Sequence, residues 1–372
     1  MNINEVMKSV YTKLQSRRGR RYRHGVEETK WYIASFPEPK DDIQRSFFQY
    51  KCQKWETIGR LEFILANMVS LILLFPKYIR YRKRKVTNGR KYDAVLTMAS
   101  LSNKIPRDFE GEYVSQEFDR GSLSDDDVKL FKSIVKRYPF SFFFIYKIMC
   151  RLASYSDLMK RYSPDIIFSA AEYSFTSSVL TYYCEKHGIK HYNIMHGEKG
   201  YNPREAFSRF SRFYIWDEYY KKIFLSLRAD KTEYKVNQIV VPDIVPKTGI
   251  NHCTYYLQLH TREQLVIIKN ELERTKMDYH VRPHPLRANG FEDEIFGKEH
   301  VESGNVNIWD SIANAGIALS QDSTVLYQAY LAGVRVAIDD VSDPTFFRSS
   351  EERGYIMLHK PHLLLSELLH DK

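Results

Sequence analysis

The chain has 372 residues, with an apolar share of 43% and 14% aromatic residues. That length allows two domains at roughly 150 residues each, and the composition excludes a disordered or collagen-like chain. The formal charge of +10 points to phosphate-rich partners, while four cysteines without CxxC spacing argue against a zinc site or disulfide framework and suit a reducing compartment.

The positive charge is concentrated early. Arg17, Arg18, Arg20, Arg21 and Arg23 form one cluster, and Lys77, Arg80, Arg82, Lys83, Arg84 and Lys85 form a second. Directly before the second runs the apolar stretch LEFILANMVSLILLF, Leu61 to Phe75. Interrupted by Glu62 and Asn67, it is shorter than the roughly twenty residues that span a bilayer, and it lies too far along the chain for a signal peptide. Two readings fit it. One is a helix lying in the membrane interface with its basic flank on anionic headgroups, and the other is a buried core helix. No transmembrane helix is expected, and residues 1–87 read as a basic, partly apolar helical region. The first reading predicts a cytoplasmic protein held peripherally on the inner face of the cell membrane, with an anionic membrane surface as a partner.

From about residue 88 apolar strands alternate with helical stretches. YDAVLTM (92–98) reads as a strand, and Ser124 before three aspartates is an N-cap that opens a helix. PDIIFSA (164–170) is a strand, a helix then closes on Gly188, and IKHYNIMHG (189–197) is the next strand. RFYIW and NQIVVP look like two more. After Pro242 and Pro246 the alternation restarts with CTYYLQL (253–259). It continues through DYHVRPHP, GIALS and VRVAID, with helices between them. Repeated βα units imply parallel, doubly wound sheets. The fold class is α/β, with two Rossmann-type domains, 88–246 and 247–372, expected to face each other across a cleft.

Three strand-end loops could carry chemistry. Pro283 and Pro285 cannot donate to a sheet ladder, so the strand in YHVRPHPL must stop there and leave Arg282 and His284 on a stiff turn at its carboxyl end. Carboxyl ends are where open α/β sheets bind ligands, and a guanidinium fork suits phosphate. In NIMHGEKGYN, His196 or Glu198 could take a proton from an acceptor hydroxyl, with Lys199 and Tyr201 beside it as acceptor-binding candidates. In ALSQDSTVLYQAYLAG a strand ends at Ser320, and Asp322, Ser323 and Thr324 open a helix whose N-terminus favours an anion. Each loop taken alone has a structural explanation, as a turn or an N-cap. Two half-sites on two domains are what transfer from a phosphorylated donor to a separate acceptor requires. An RNP-like or zinc-finger pattern is missing and the aromatics are scattered, so nucleic acid is not expected as a partner.

At these residues the sequence resembles the GT-B glycosyltransferases that build bacterial surface polysaccharides. His284-Pro285 and Ser323-Thr324 look like the HP motif and Ser-Ser/Thr pair of bacterial sialyltransferases and polysialyltransferases. That resemblance implies that His284 contacts the donor phosphate and assists leaving-group departure. It likewise implies that Ser323 and Thr324 bind the phosphate or donor carboxylate. The acidic-acidic-Gly motif of those families is matched only by Glu198-Lys199-Gly200. His196-Gly197 and Arg282-Pro283-His284-Pro285 are similar to segments of teichoic-acid glycerophosphotransferases, which would map acceptor activation to His196.

The expected activity is metal-independent, inverting transfer of a sugar from a nucleotide donor. A CMP-linked sialic-type ulosonic acid is the expected donor, and a polysaccharide or lipid-linked oligosaccharide the acceptor. No cofactor or metal is expected; Asp339-Asp340 follows a strand but does not form a DxD motif. The alternatives are a CDP-polyol phosphotransferase of the same fold and a non-catalytic scaffold of polysaccharide assembly.

Overall fold

The computed structural model describes residues 23–57, 59–118, 120–247, 251–285, 288 and 290–370. Of the first arginine cluster only Arg23 falls among them. The chain divides into two compact units. One comprises Arg23–His196 and Tyr201–Gln238, the other Gly197–Gly200 and Ile239–Lys372.

The first unit is built on a parallel sheet. Its strands are β1 (Ala94–Leu96), β2 (Tyr113–Ser115), β3 (Ile166–Ser169), β4 (Lys190–Ile194), β5 (Arg212–Ile215) and β6 (Glu233–Val236), in the order β2-β1-β3-β4-β5-β6. Central strands of a sheet covered on both faces are apolar throughout, and β1 is buried at every position. The helices α1 (Val26–Ala34), α2 (Asp42–Thr57) and α3 (Arg60–Lys83) group with this sheet instead of standing apart as a region of their own. They are followed by α4 (Asp125–Arg137), α5 (Phe142–Tyr162), α6 (Ser177–Lys186) and α7 (Glu218–Ser226). The core forms where Phe144, Ile148 and Leu152 of α5 meet Ile167 of β3 and Val179 of α6.

One strand lies elsewhere than the sequence suggests. NQIVVP is irregular, and the strand is the preceding EYKV, which pairs with β5 through Arg212 opposite Glu233. At an exposed sheet edge the Arg212–Glu233 ion pair (2.9 Å) sets the register, so apolar content misleads there.

Asp127 ties three helices together. Fully buried, it accepts from the Ser124 backbone N–H at the start of α4, from Ser156 Oγ of α5 and from the Tyr183 hydroxyl of α6, each at 2.6 Å. Burial alone would raise its pKa, but these donors outweigh it and hold the carboxyl below its ordinary value. We expect Asp127→Ala to lose roughly 3 kcal/mol in guanidinium unfolding, because two buried hydroxyls lose their acceptor. A depressed folded pKa means that the wild-type contribution is present above about pH 4 and is lost as pH falls below it.

The second unit holds β7 (His252–Tyr256), β8 (Asp278–Arg282), β9 (Ile317–Ser320), β10 (Arg335–Ile338) and β11 (Leu363–Leu364), all parallel, in the order β11-β10-β9-β7-β8. Between them run α8 (Arg262–Arg274), α9 (Glu292–Phe296), α10 (Ile308–Asn314), α11 (Thr324–Leu331), α12 (Pro344–Glu352) and α13 (Leu365–His370). Leu265, Ile268 and Leu272 of α8 pack on Tyr255, Val281 and Leu319 of the sheet. Both sheets are thus parallel and of doubly wound α/β type.

Candidate functional site

In each sheet the first strand in sequence has its second neighbour on one side and its third on the other, which makes β1/β3 and β7/β9 the points where strand order reverses. Ligands of open parallel sheets bind beyond the carboxyl ends of the strands at such points.

In the first unit, the loop after β3 supplies Glu172 and the loop after β4 supplies His196. Glu172 is fully buried. Asn193 Nδ2 donates to its Oε2 (2.9 Å), and Gln49 Nε2 donates to its backbone carbonyl (2.7 Å). Asn193 is fixed in turn by the Ala171 N–H, which donates to its Oδ1 (2.7 Å). His196 Nδ1 lies 3.4 Å from Glu172 Oε1, with its side chain 36% exposed. Lys104 Nζ donates to the His196 carbonyl (3.1 Å). A carboxylate beside Nδ1 leaves Nε2 as the nitrogen that accepts a proton. His191, two residues into β4, is by contrast interior. Its Nε2 is 3.0 Å from both the Tyr155 hydroxyl and Ser169 Oγ, and its Nδ1 is 2.8 Å from Thr181 Oγ1.

In the second unit the switch point carries Gln258 after β7 and Ser323 after β9. Ser323 caps α11, accepting from the Val325 N–H (3.2 Å), and also accepts from Gln258 Nε2 (2.9 Å). Thr324 Oγ1 accepts from the Glu198 N–H (3.0 Å) within the same unit. A hydroxyl has one donor and two acceptor positions. Both acceptor positions of Ser323 are filled and the residue is only 2% exposed, so the half-buried Thr324 hydroxyl is the one of the two that a ligand can reach. The Val325 N–H is taken by the Ser323 cap and the Leu326 N–H by the Ser323 carbonyl (3.1 Å), so the helix start adds its dipole more than open N–H groups to what the turn offers an anion. Asp322, half-buried in that turn, brings a carboxylate, which accepts from ligand hydroxyls and repels phosphate.

Other expected residues are placed differently. Arg282 is only 11% exposed, and its guanidinium is engaged by Glu302 and by the Val306 carbonyl (2.8 Å). The parallel bridge between Val281 and Val301 explains this, since it sets Glu302 beside Arg282. Glu302 also accepts from Ser311 Oγ (2.7 Å). The arginine therefore braces the turn after β8 and does not present an open fork to phosphate. Ser320 is fully buried and its hydroxyl donates to the Tyr256 carbonyl (2.7 Å), joining β9 to β7 and leaving it no access to a donor. Lys199 and Tyr201 are 2% and 7% exposed, so neither presents a surface to an acceptor in this arrangement. Gly200 lies against Arg353, whose carbonyl oxygen would be 3.1 Å from an added Cβ. His284 is half-buried in the turn that ends β8, where its carbonyl accepts from the Ala288 N–H (3.0 Å).

Asp339 accepts from the Tyr255 hydroxyl (2.7 Å), and Asp340 from Ser366 Oγ (2.6 Å), so both carboxylates are engaged internally. Among the described residues no three His, Cys, Asp or Glu side chains gather as a metal site.

Glu172, Asn193 and Gln258 escaped the sequence reading. The signal for Glu172 was an acid two residues beyond the end of the PDIIFSA strand, which marks a loop at the carboxyl edge.

No family model matches the chain, and no curated protein matches it. Among solved structures it is similar to UGT89C1 of Arabidopsis thaliana, at 12% identity and a TM-score of 0.41, with 81% of this chain and 80% of that chain covered. It is also similar to the glycotransferase of kitacinnamycin, at 11% identity and a TM-score of 0.38, with 75% and 83% covered. A third likeness is to a variant of the wall teichoic acid polymerase TagF, at 8% identity and a TM-score of 0.37, with 75% and 79% covered. At these values the likenesses assign neither a family nor an activity. The class on the page is a two-sheet, parallel α/β protein with a carboxylate–histidine pair beyond the carboxyl ends of one sheet and a Ser-Thr helix start beyond those of the other.

Proposed function

We propose that the protein is a metal-independent, inverting glycosyltransferase of GT-B type, moving a sugar from a nucleotide donor to a polysaccharide or lipid-linked oligosaccharide acceptor. The observation that carries this reading is the Glu172–His196 pair. A buried carboxylate behind a half-exposed imidazole, beyond the carboxyl end of a parallel strand, is equipped to deprotonate a hydroxyl. In the proposed reaction the acceptor oxygen attacks the anomeric carbon while its proton passes to His196 Nε2. The bond from that carbon to the donor phosphate breaks, and the electron pair leaves with the nucleotide. His284, the Thr324 hydroxyl and the start of α11 stabilise the charge developing on that phosphate. Glu198 is the alternative base. A CMP-linked sialic-type ulosonic acid is the proposed donor, supported by the likeness of His284-Pro285 and Ser323-Thr324 to the corresponding sialyltransferase motifs.

A second reading rests on the joint presence of His196-Gly197 and the Arg282–Pro285 segment. In it the donor is a CDP-polyol, attack falls on phosphorus, and the product contains a phosphodiester.

Thermal unfolding with CMP, CDP, UDP, GDP and dTDP tests the donor side. A nucleotide at about a hundred times its Kd stabilises the fold by about 2.7 kcal/mol, which raises the Tm by several degrees. CMP is expected to give the largest shift. His284→Ala is expected to keep the unliganded Tm and to reduce transfer about a hundredfold or more. A preference for UDP, GDP or dTDP discards the sialic-type donor but keeps the class. A phosphodiester product with CDP-glycerol establishes the second reading. Absence of any shift and of any turnover overturns both and leaves a non-catalytic assembly protein.

A further inference from the structure

We propose that the outward face of α3 is a membrane-docking surface that lies flat in the interface of an anionic lipid bilayer. The helix has 24 residues, reaching well past the apolar stretch expected from sequence, and by length and composition alone it is apolar enough to cross a membrane. Its packing favours a different placement. Phe63, Leu74, Tyr78 and Tyr81 face the core, and Asn67 Oδ1 accepts from the Phe143 N–H of α5 (3.2 Å). α5 is in turn packed among the strands and helices of the first unit, so a crossing α3 would have to tear away from the domain or drag it into hydrocarbon. Held along one side, α3 keeps its other side for a surface.

That other side is apolar. Leu61, Leu65, Ile72 and Phe75 are 77%, 60%, 69% and 69% exposed. At about 100° per residue the exposed apolar positions sweep from Leu71 round to Leu73, an arc of about 200°. A single partner helix covers a narrower seam, whereas a continuous apolar medium covers the whole arc. The outward charges are gathered at the C-terminal end, where Arg80, Lys83 and Lys85 are exposed directly after the apolar turns. Apolar turns followed by clustered cations match acyl chains bordered by anionic headgroups, as on the cytoplasmic face of a cell membrane. The domain itself takes the place of the polar face that an isolated interfacial helix would need. This surface lies on helices of the first unit, and its argument does not depend on which reaction the protein catalyses.

The test is co-sedimentation of the full chain with vesicles of phosphatidylcholine alone or mixed with phosphatidylglycerol. Binding to the anionic vesicles is expected, weakening as salt rises. Leu65→Glu combined with Ile72→Glu should lower partitioning about tenfold or more, with an unchanged Tm because both side chains are already exposed. Lys83→Ala and Lys85→Ala should each weaken anionic-vesicle binding about fivefold and flatten its salt dependence. Failure of the wild type to bind vesicles overturns the proposal, and so does undiminished binding of the double glutamate variant. A concentration-dependent dimer abolished by the same double variant, without vesicle binding, would overturn it in favour of an interface between two copies.

Discussion

A His196→Ala variant is expected to fold normally and to lose transfer by about a hundred- to ten-thousand-fold, the usual contribution of a positioned general base. Glu172→Gln, which keeps the side-chain shape and removes the charge, should lose about ten- to a hundredfold. It should act chiefly on kcat, because the carboxylate supports the imidazolium only as the proton moves. The decisive comparison is the double variant. If Glu172 acts through His196, adding Glu172→Gln to His196→Ala changes the rate no further, since groups that work as a unit are strongly non-additive. Independent, multiplying losses would show that Glu172 serves the fold or another step. A His196→Ala enzyme of near-normal activity beside an inactive Glu198→Gln would move the base to Glu198.

The pair also shows which parts of the molecule were legible in the sequence. Strand-end loops could be located because parallel strands are short apolar runs and their ends carry glycine or proline, as at Gly197 and Pro283. Within those loops the sequence named residues by chemical type, and type does not decide availability. Arg282 has the right guanidinium but meets Glu302, a residue twenty positions on that arrives through the bridge at Val301. Ser320 has the right hydroxyl but sits inside the sheet, bound to a neighbouring strand. Ser323 and Thr324 keep a role because their position at a helix start is local, and helix starts are written in local sequence.

The helices follow the same division. Ser124 and its aspartates were legible as a cap, and the capping box forms as the spacing requires. α5 has no such opening signal. Ser141 makes no side-chain cap, and the run FFFIYKIMCRLASYSDLMKRY is too apolar to show one clear stripe, because much of its circumference is buried. The apolar stretch of α3 could not be assigned to core or surface from its composition. Only its packing partner on one side settles which residues are left outside.

Acid should unfold this protein through His191 before it does so through its carboxylates. The ring is completely buried between the Tyr155, Ser169 and Thr181 hydroxyls, and its neutral form fits there: Nδ1–H donates to Thr181 Oγ1, whose own proton goes to backbone carbonyls, and the Nε2 lone pair accepts one O–H. Burial, with a smaller push from the Arg209 guanidinium, brings its pKa down to about 3, whereas an exposed histidine titrates near 6.5. Between those values the unfolded chain binds the proton and the native state does not, so stability rises with pH across the window. The His191 contribution is complete above about pH 6.5 and drains away at roughly 1.4 kcal/mol per pH unit as the solution is acidified. Asp127 adds its own loss only below about pH 4. Urea unfolding at intervals from about pH 7 to pH 4 should show this slope in the wild type. His191→Gln cannot titrate there, so its profile should be markedly flatter even if the variant is less stable throughout. An equal slope in the two proteins would mean that protonation elsewhere drives acid unfolding and that the ring of His191 accepts its proton without leaving the fold.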